Sequence, residues 1–397
     1  MNICVIAWSI YLTDSRVRKY SEALVKRGDS VDVIALSFGD RKKPRGEKYN
    51  FCGVTVYEVD ARREERKKLD YMISFLKFFL LSFYYVTKLY AKKKYAIIHV
   101  HTPPDFVVFS ALIPKLFGAK IILDIHDPLP DFFSAKFGAN KMNKLFTKFL
   151  CLVERVSAKF SDHVITITHY WKDVISKRSK IAETKISVIL NLPDIELFNA
   201  AKFKNKKKSD DSFVLLYPGT LNKHCGVDII IKAIALVKEQ IPDLRFVIYG
   251  KGGELPSLQS IVRDLHLEDI VSFHNHVELD EVSLLMHNAD LGIALLAGNN
   301  KYSKQALNVK LFEFLAMGLP AIATKATATE FYLNEDIVMF SQPNDPEDVA
   351  RCISELFFNE KKRRELTRKG LNFINKNNWN LAMSDFFKIV DKLVTNK

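Results

Sequence analysis

Short apolar runs of strand length alternate with helix-length segments along this chain, in two separate series. The first series reads ICVIAW, a helix from Ser15 to Arg27 ending at Gly28, then VDVIAL, YAIIHVH and AKIILDIH. The second opens after Asp211 with FVLLYPG and continues through a helix over 228–238, LRFVIYG, IVSFHNHV, DLGIALL, LPAIAT and DIVMFS. Runs that are apolar throughout suit parallel strands buried on both faces and joined by helices. The expected fold class is therefore α/β, with two doubly wound Rossmann-like domains. A length of 397 residues leaves room for two sizeable cores.

Between the two series lies NAAKFKNKKKSDD, polar and rich in lysine, which reads as an interdomain linker or a solvated loop. The expected division is a first domain over 1–200, a linker over 201–211, a second domain over 212–375 and a last helix over 376–397. The five cysteines include no CxxC pair, so neither a disulfide framework nor a zinc framework is expected, and a reducing, cytoplasmic setting fits. The opening MNICVIAWSI has no basic segment before its apolar run and reads as a buried strand.

Lysine and arginine number 59 against 46 acidic residues, a net charge of +13 that favours anionic partners without choosing among nucleic acid, anionic lipid and phosphorylated substrates. No basic platform interleaved with aromatics appears, so nucleic acid is not the expected partner. The most apolar stretch, Tyr71 to Tyr90, is long enough to span a bilayer. It carries Lys77 and Lys88 and sits between two strands of one sheet, which argues against a span. Two readings stand: a core helix, or a helix whose aromatic face dips into a membrane surface with RREERKK and KKK at its flanks.

Ligands of open α/β sheets bind beyond the carboxyl ends of the strands. Four such places carry chemistry. In WSIYLTDSRVRK, Thr13 or Asp14 can cap a helix whose first turns hold Arg16 and Arg18, either an anion site or an ordinary cap. In DIHDP, His126 ends a strand and faces a cleft or packs structurally. In YPGTLNKHCG, Gly219 and Gly226 permit close backbone approach beside Lys223 and His224, and YGKGGE offers a second glycine turn at Gly250. In NVKLFEFLAMGLPAIAT, Lys310 and Glu313 stand one turn apart near a helix start, as an ion pair or as partners of a diphosphate and a diol.

In this order, and together with HVHTPPDF, VITITHYW, ISVILNLPDIELF and the terminal NNWNLAMSDFFKIVDKL, these pieces resemble the retaining glycosyltransferases of family 4 along nearly the whole chain. The resemblance implies a GT-B fold, two Rossmann-like domains facing a central cleft, with a C-terminal helix crossing back to the first. It implies catalytic roles for His126, Lys223 and Glu313, with Glu313 holding the nucleotide ribose. Donor contacts would come from Gly219, Thr220, Asn222, Gly250, Gln305, Asn308, Val309 and Lys310, and acceptor contacts from Trp8, Asp14 and Arg16. Departures from the family pattern are Gln305 for a glutamate, Thr220 for an arginine and Cys225 for a lysine. Lys223 and Lys310 are placed to replace the lost cations.

The implied activity moves a hexose or hexosamine, with retention and without a metal or other cofactor, from a nucleotide-diphosphate sugar to a glycan or lipid-linked saccharide. Lysines and helix amides would meet the charge on the leaving diphosphate. The expected setting is the cytoplasm, peripherally on the inner face of an anionic membrane, in cell-surface polysaccharide synthesis. Two rivals remain: a nucleotide-sugar epimerase of the same fold class, and a non-catalytic nucleotide-sugar-binding subunit.

Overall fold

A computed structural model of the chain describes residues 1–37, 48–59, 68–137, 141–203, 212–275, 277, 279–297 and 304–395. It divides into two compact units, Met1–Asn191 with Met383–Lys397, and Leu192–Ala382. The division falls at Asn191 and not at residue 200. The last helix, Trp379–Thr395, starts within the second unit, where the Trp379 amide donates to Pro193 O at 3.2 Å. Most of the lysine-rich linker, residues 204–211, and most of RREERKK lie outside the described residues.

The first unit is built on β1 (Asn2–Ala7), β2 (Ser30–Leu36), β3 (Lys48–Phe51), β4 (Val54–Val59), β5 (Ile97–His101), β6 (Lys120–Ile125), β7 (His163–Thr166) and β8 (Ile186–Val188). Their order across the sheet is β3-β4-β2-β1-β5-β6-β7-β8, parallel except for the β3–β4 hairpin. The central strands are buried almost without interruption, as their continuous apolar character requires. The hairpin escapes the sequence pattern because its two-residue turn is Cys52–Gly53, at φ 51° and 81°. Such a turn is normally announced by Asn-Gly or Asp-Gly.

Helices α1 (Ser15–Lys26), α2 (Lys68–Lys93), α3 (Leu112–Leu116), α4 (Leu129–Phe137), α5 (Lys141–Phe160) and α6 (His169–Ser179) complete the unit. Asp14 caps α1, its carboxylate accepting from the Arg16 and Val17 amides at 3.1 and 3.0 Å. Within α2, Ser74, Phe78, Ser82 and Val86 are buried one turn apart, so the helix packs along the sheet as a layer of the domain. Its length and hydropathy would allow a membrane span over Asp70–Lys93, but β4 and β5 on either side of it belong to one sheet. The last helix brings Phe386 to 4.7 Å from Tyr20 and Asp391 to 2.9 Å from Arg27 Nη1.

The second unit carries β9 (Phe213–Pro218), β10 (Leu244–Tyr249), β11 (Val271–His274), β12 (Leu291–Ala294), β13 (Ala321–Thr324) and β14 (Met339–Ser341), ordered β11-β10-β9-β12-β13-β14 and parallel throughout. The strand order reverses at β9, where an open α/β sheet opens a crevice at its carboxyl edge. Helix α7 (Val227–Val237) places Ile230, Ile231 and Ile234 in one core with Leu215, Phe246 and Ile248.

Candidate functional site

Beyond the carboxyl ends of β9 and β10, two loops meet. The Gly219 amide donates to Tyr249 O at 2.8 Å, and a Cβ on Gly250 would collide with Gly219 O, so only glycine allows this approach. A Cβ on Gly219 would in turn strike Lys310 Nζ. Lys310 comes from the helix Val309–Ala316, and its ammonium lies 4.0 Å from the centroid of the Tyr217 ring. Burial pulls its pKa down to about 8, against the opposing influence of Cys225 and Glu313.

Asn308 precedes that helix with extended backbone and no side-chain cap, which leaves the first amides, including Val309's, open to an anion. Glu313 is half-buried one turn along. Gln305 is buried, and its Oε1 has no hydrogen-bond partner among the described residues. The Tyr217 hydroxyl donates to Thr220 O at 2.8 Å and fixes the turn after β9, while Asn222 O accepts from the Cys225 amide at 2.9 Å. Thr220, Asn222 and Lys223 are all exposed. Burial raises the Cys225 thiol, but hydrogen bonds with His224 and Tyr217 and the charges of His224 and Lys310 outweigh it and bring the pKa to about 7.

The first unit holds a second cluster, at the ends of β5 and β6, where His101 and Asp124 are register partners. Asp124 is fully buried, and Arg16 Nη2 reaches both its oxygens at 3.1 Å while also donating to Tyr20 Oη at 3.1 Å; Arg16 Nη1 donates to Ile189 O at 3.2 Å. Burial would raise the Asp124 carboxyl, but Arg16 and His126 hold it well below the usual range. His99, His101 and His126 stand 3.5, 3.6 and 3.6 Å from its oxygens, and His101 Nδ1 is 2.9 Å from His126 Nε2. Burial depresses His99 and His101 and keeps both neutral.

The arrangement corrects one expectation. Arg16 does not wait at a helix start for an anion or an acceptor; its guanidinium is buried on Asp124 and Ile189. Asp14 is likewise engaged as the cap. Trp8 packs edge-on against Phe75 and Phe78 of α2, at 4.9 and 5.2 Å. His126 does sit at a strand end, partly exposed, but the residues that position it, His101 and Asp124, were legible only as the spacing HVH and the Asp of DIHDP.

His99, His101 and Asp124 offer three ligand atoms close enough to share an ion. A divalent ion there would be crowded by Arg16, which already neutralises the carboxylate, and would leave an excess of buried positive charge. The cluster is an ion pair with histidines around it.

Acidification should therefore weaken the first unit early. His99 and His101, together with His163, whose pKa burial lowers to about 4, stay neutral when folded but take up protons near pH 6.5 when unfolded. Unfolding free energy should fall as pH drops below about 6.5, whereas the Asp124 contribution persists until pH falls below the ordinary carboxylate range. Denaturant midpoints measured across pH 5 to 8 check this; a midpoint that stays constant down to about pH 5 would contradict it.

Two family models match consecutive stretches of the chain: "Glycosyltransferase Family 4" over residues 15–197 and "Glycosyl transferases group 1" over residues 198–373. One human relative, a phosphatidylinositol N-acetylglucosaminyltransferase component, is 22% identical over 348 residues, covering 86% of this chain and 66% of the relative. The chain thus spans about two thirds of that relative's length. Among solved structures, sucrose-phosphate synthase from Thermosynechococcus elongatus superposes with a TM-score of 0.80 at 17% identity, over 100% of both chains. Anabaena HepE in complex with UDP gives 0.72 at 16% identity, over 99% of this chain and 100% of that one.

Proposed function

The chain belongs to glycosyltransferase family 4, and from that premise we propose that it moves a hexose or hexosamine from a nucleotide-diphosphate sugar to a glycan acceptor, a lipid-linked saccharide, with retention of configuration. One observation carries the reading: Lys310, the uncapped amides after Asn308 and the Gly219 turn converge where the second sheet reverses its strand order. The Lys310 ammonium and the helix-start amides, with the room that the Gly219 turn leaves beside them, suit a departing diphosphate.

On this reading the nucleotide ribose hydrogen-bonds to Glu313, the diphosphate oxygens take the Val309–Lys310 amides and the Lys310 ammonium, and exposed Lys223 adds charge from the loop edge. Cationic side chains then do the work a divalent ion does elsewhere, so turnover needs no metal. In the first unit, His126 is fixed through Nε2 by His101, which leaves Nδ1 for an incoming acceptor hydroxyl. A lipid-linked acceptor is supported by the phosphatidylinositol-directed relative and by the exposed outer side of α2, with Met72, Leu76 and Leu80, which fits a protein resting peripherally on the cytoplasmic face of a membrane.

A screen of nucleotide sugars by thermal shift, followed by transfer assays with the donor that binds, tests the proposal. Saturation a hundredfold above Kd should add about 2.7 kcal/mol of stability. A second reading, binding without transfer, is favoured by Gln305 standing where the family has a glutamate. Turnover of the bound donor separates the two.

Glu313→Ala should weaken nucleotide-diphosphate binding by at least about tenfold, since a hydrogen bond to a charged acceptor is worth roughly 1.5 to 3 kcal/mol. Titration calorimetry reads this directly. Wild-type affinity in the variant would remove the ribose assignment.

A further inference from the structure

The apolar helix that the sequence singles out is α2, and α5 too turns an apolar stripe to solvent. Its inner side buries Asn143, Leu150, Glu154 and Ser157, with Glu154 closed off by Arg178, Nε to Oε1 at 2.7 Å. Its outer side presents Met142, Leu145, Phe149, Leu152 and Val156, 46% to 79% exposed. At 3.6 residues per turn these five fall within an arc of about 80° and a length of about 21 Å. A helix of a soluble domain normally turns such a stripe toward the core. Here the inner side is mixed, with Leu150 and Ala158 buried beside Asn143, Glu154 and Ser157, and a wholly apolar stripe faces out.

The charge beside the stripe is of one sign. Lys141, Lys144, Lys148 and Lys159 are exposed along one edge, and the helix's one acidic residue is the buried Glu154. The helix also shares a layer with α2. Residues 105–111 pack between them, Phe106 on Phe79 at 5.9 Å and Phe109 on Phe160 at 5.1 Å.

We propose that α5 lies in the plane of an anionic membrane, its Met142–Val156 stripe at the acyl boundary and its lysine edge on lipid phosphates, and that it forms with the outer side of α2 the two-helix face on which the first unit rests. The proposal deepens the lipid-linked acceptor reading by naming the surface that meets the lipid. Among possible occupants, an anionic bilayer matches both the stripe and the lysine edge. A second copy of the chain would bring a like-charged lysine row against the first.

The test is co-sedimentation of the full chain with vesicles of phosphatidylcholine alone and of phosphatidylcholine with phosphatidylglycerol, at low and high salt. Wild type should bind the anionic vesicles and be released by salt. Changing Leu145→Ser, Phe149→Ser and Leu152→Ser together should lower partitioning by at least about tenfold. Reversing Lys141→Glu, Lys144→Glu and Lys148→Glu should do the same on anionic vesicles alone. Both variants change exposed residues, so their melting temperatures and nucleotide-sugar binding should match wild type. Serine variants that sediment like wild type overturn the proposal, as does equal wild-type binding to neutral vesicles. Concentration-dependent self-association lost in the serine variants, without vesicle binding, overturns it in favour of a second copy. Stripe-dependent vesicle binding in a chain that binds no nucleotide sugar would leave this proposal standing and remove the transferase.

Discussion

Lys310→Ala is expected to lower turnover by about a hundred- to a thousandfold, with a smaller loss in donor affinity, because the ammonium meets charge that grows as the diphosphate leaves. Its own pH dependence gives the sharper test. Burial holds the free side chain near pKa 8, so the charged form that serves the diphosphate is lost as pH rises through 8. A falling alkaline limb near that pH belongs in kcat/KM, which reports the free enzyme, whereas bound diphosphate pulls the pKa back up and moves the limb in kcat to higher pH. Lys310→Arg keeps its charge over this range and should abolish the limb even if it turns over more slowly. Cys225, with a pKa of about 7, also gains negative charge nearby on alkaline titration, so Cys225→Ser must be run alongside and should leave the Lys310 limb in place. Persistence of the limb in Lys310→Arg would dismiss the lysine. Activity should survive excess chelator, and its loss there with recovery in Mg²⁺ would hand the diphosphate to a metal.

The pattern of residues that supports this site was readable in the sequence as far as backbone rules reach. Unbroken apolar runs gave all six strands of the second sheet and β1, β2, β5 and β6 of the first, while its parallel strands β4, β7 and β8 were not read from them; glycines at strand ends marked the loops around Gly219 and Gly250. What periodicity does not carry is side-chain destination. Arg16 lies in a first helical turn, where an anion site and an inward ion pair look alike in sequence; the difference is Asp124, 108 residues away, whose carboxylate takes it. Lys310 and Glu313, one turn apart, read either as a surface ion pair or as partners of a diphosphate and a diol, and the fold turns Lys310 back over Tyr217, into space that Gly219 leaves. Helix α5 was not singled out from the sequence, and a 3.6-residue repeat would not say which of its sides faces inward. There Arg178 decides the matter by drawing Glu154 inward. The β3–β4 hairpin was lost for a smaller reason, a cysteine where turn chemistry leads one to look for asparagine.

Asp124→Asn is expected to cost the first unit about 3 to 5 kcal/mol, since it leaves the buried Arg16 guanidinium without its counter-charge while scarcely changing shape. For a unit of this size each kcal/mol moves the midpoint by about 2 to 4 °C, so the melting temperature should fall by on the order of 10 °C. Arg16→Met should also destabilise, but less as pH is lowered, because the abandoned carboxyl can escape its charge by taking a proton whereas the abandoned guanidinium cannot give one up. The two changes combined should recover much of either loss, because replacing a whole buried pair is often close to neutral. A double-mutant cycle by thermal or denaturant unfolding reads the coupling directly. Nucleotide-diphosphate binding, which rests on residues of the second unit, should stay at wild-type affinity in every folded variant. A fall of less than about 1 kcal/mol in Asp124→Asn would mean that water reaches Arg16 and supplies what the carboxylate gave, and the enclosed ion pair would then no longer explain why Arg16 stands at the first turn of α1.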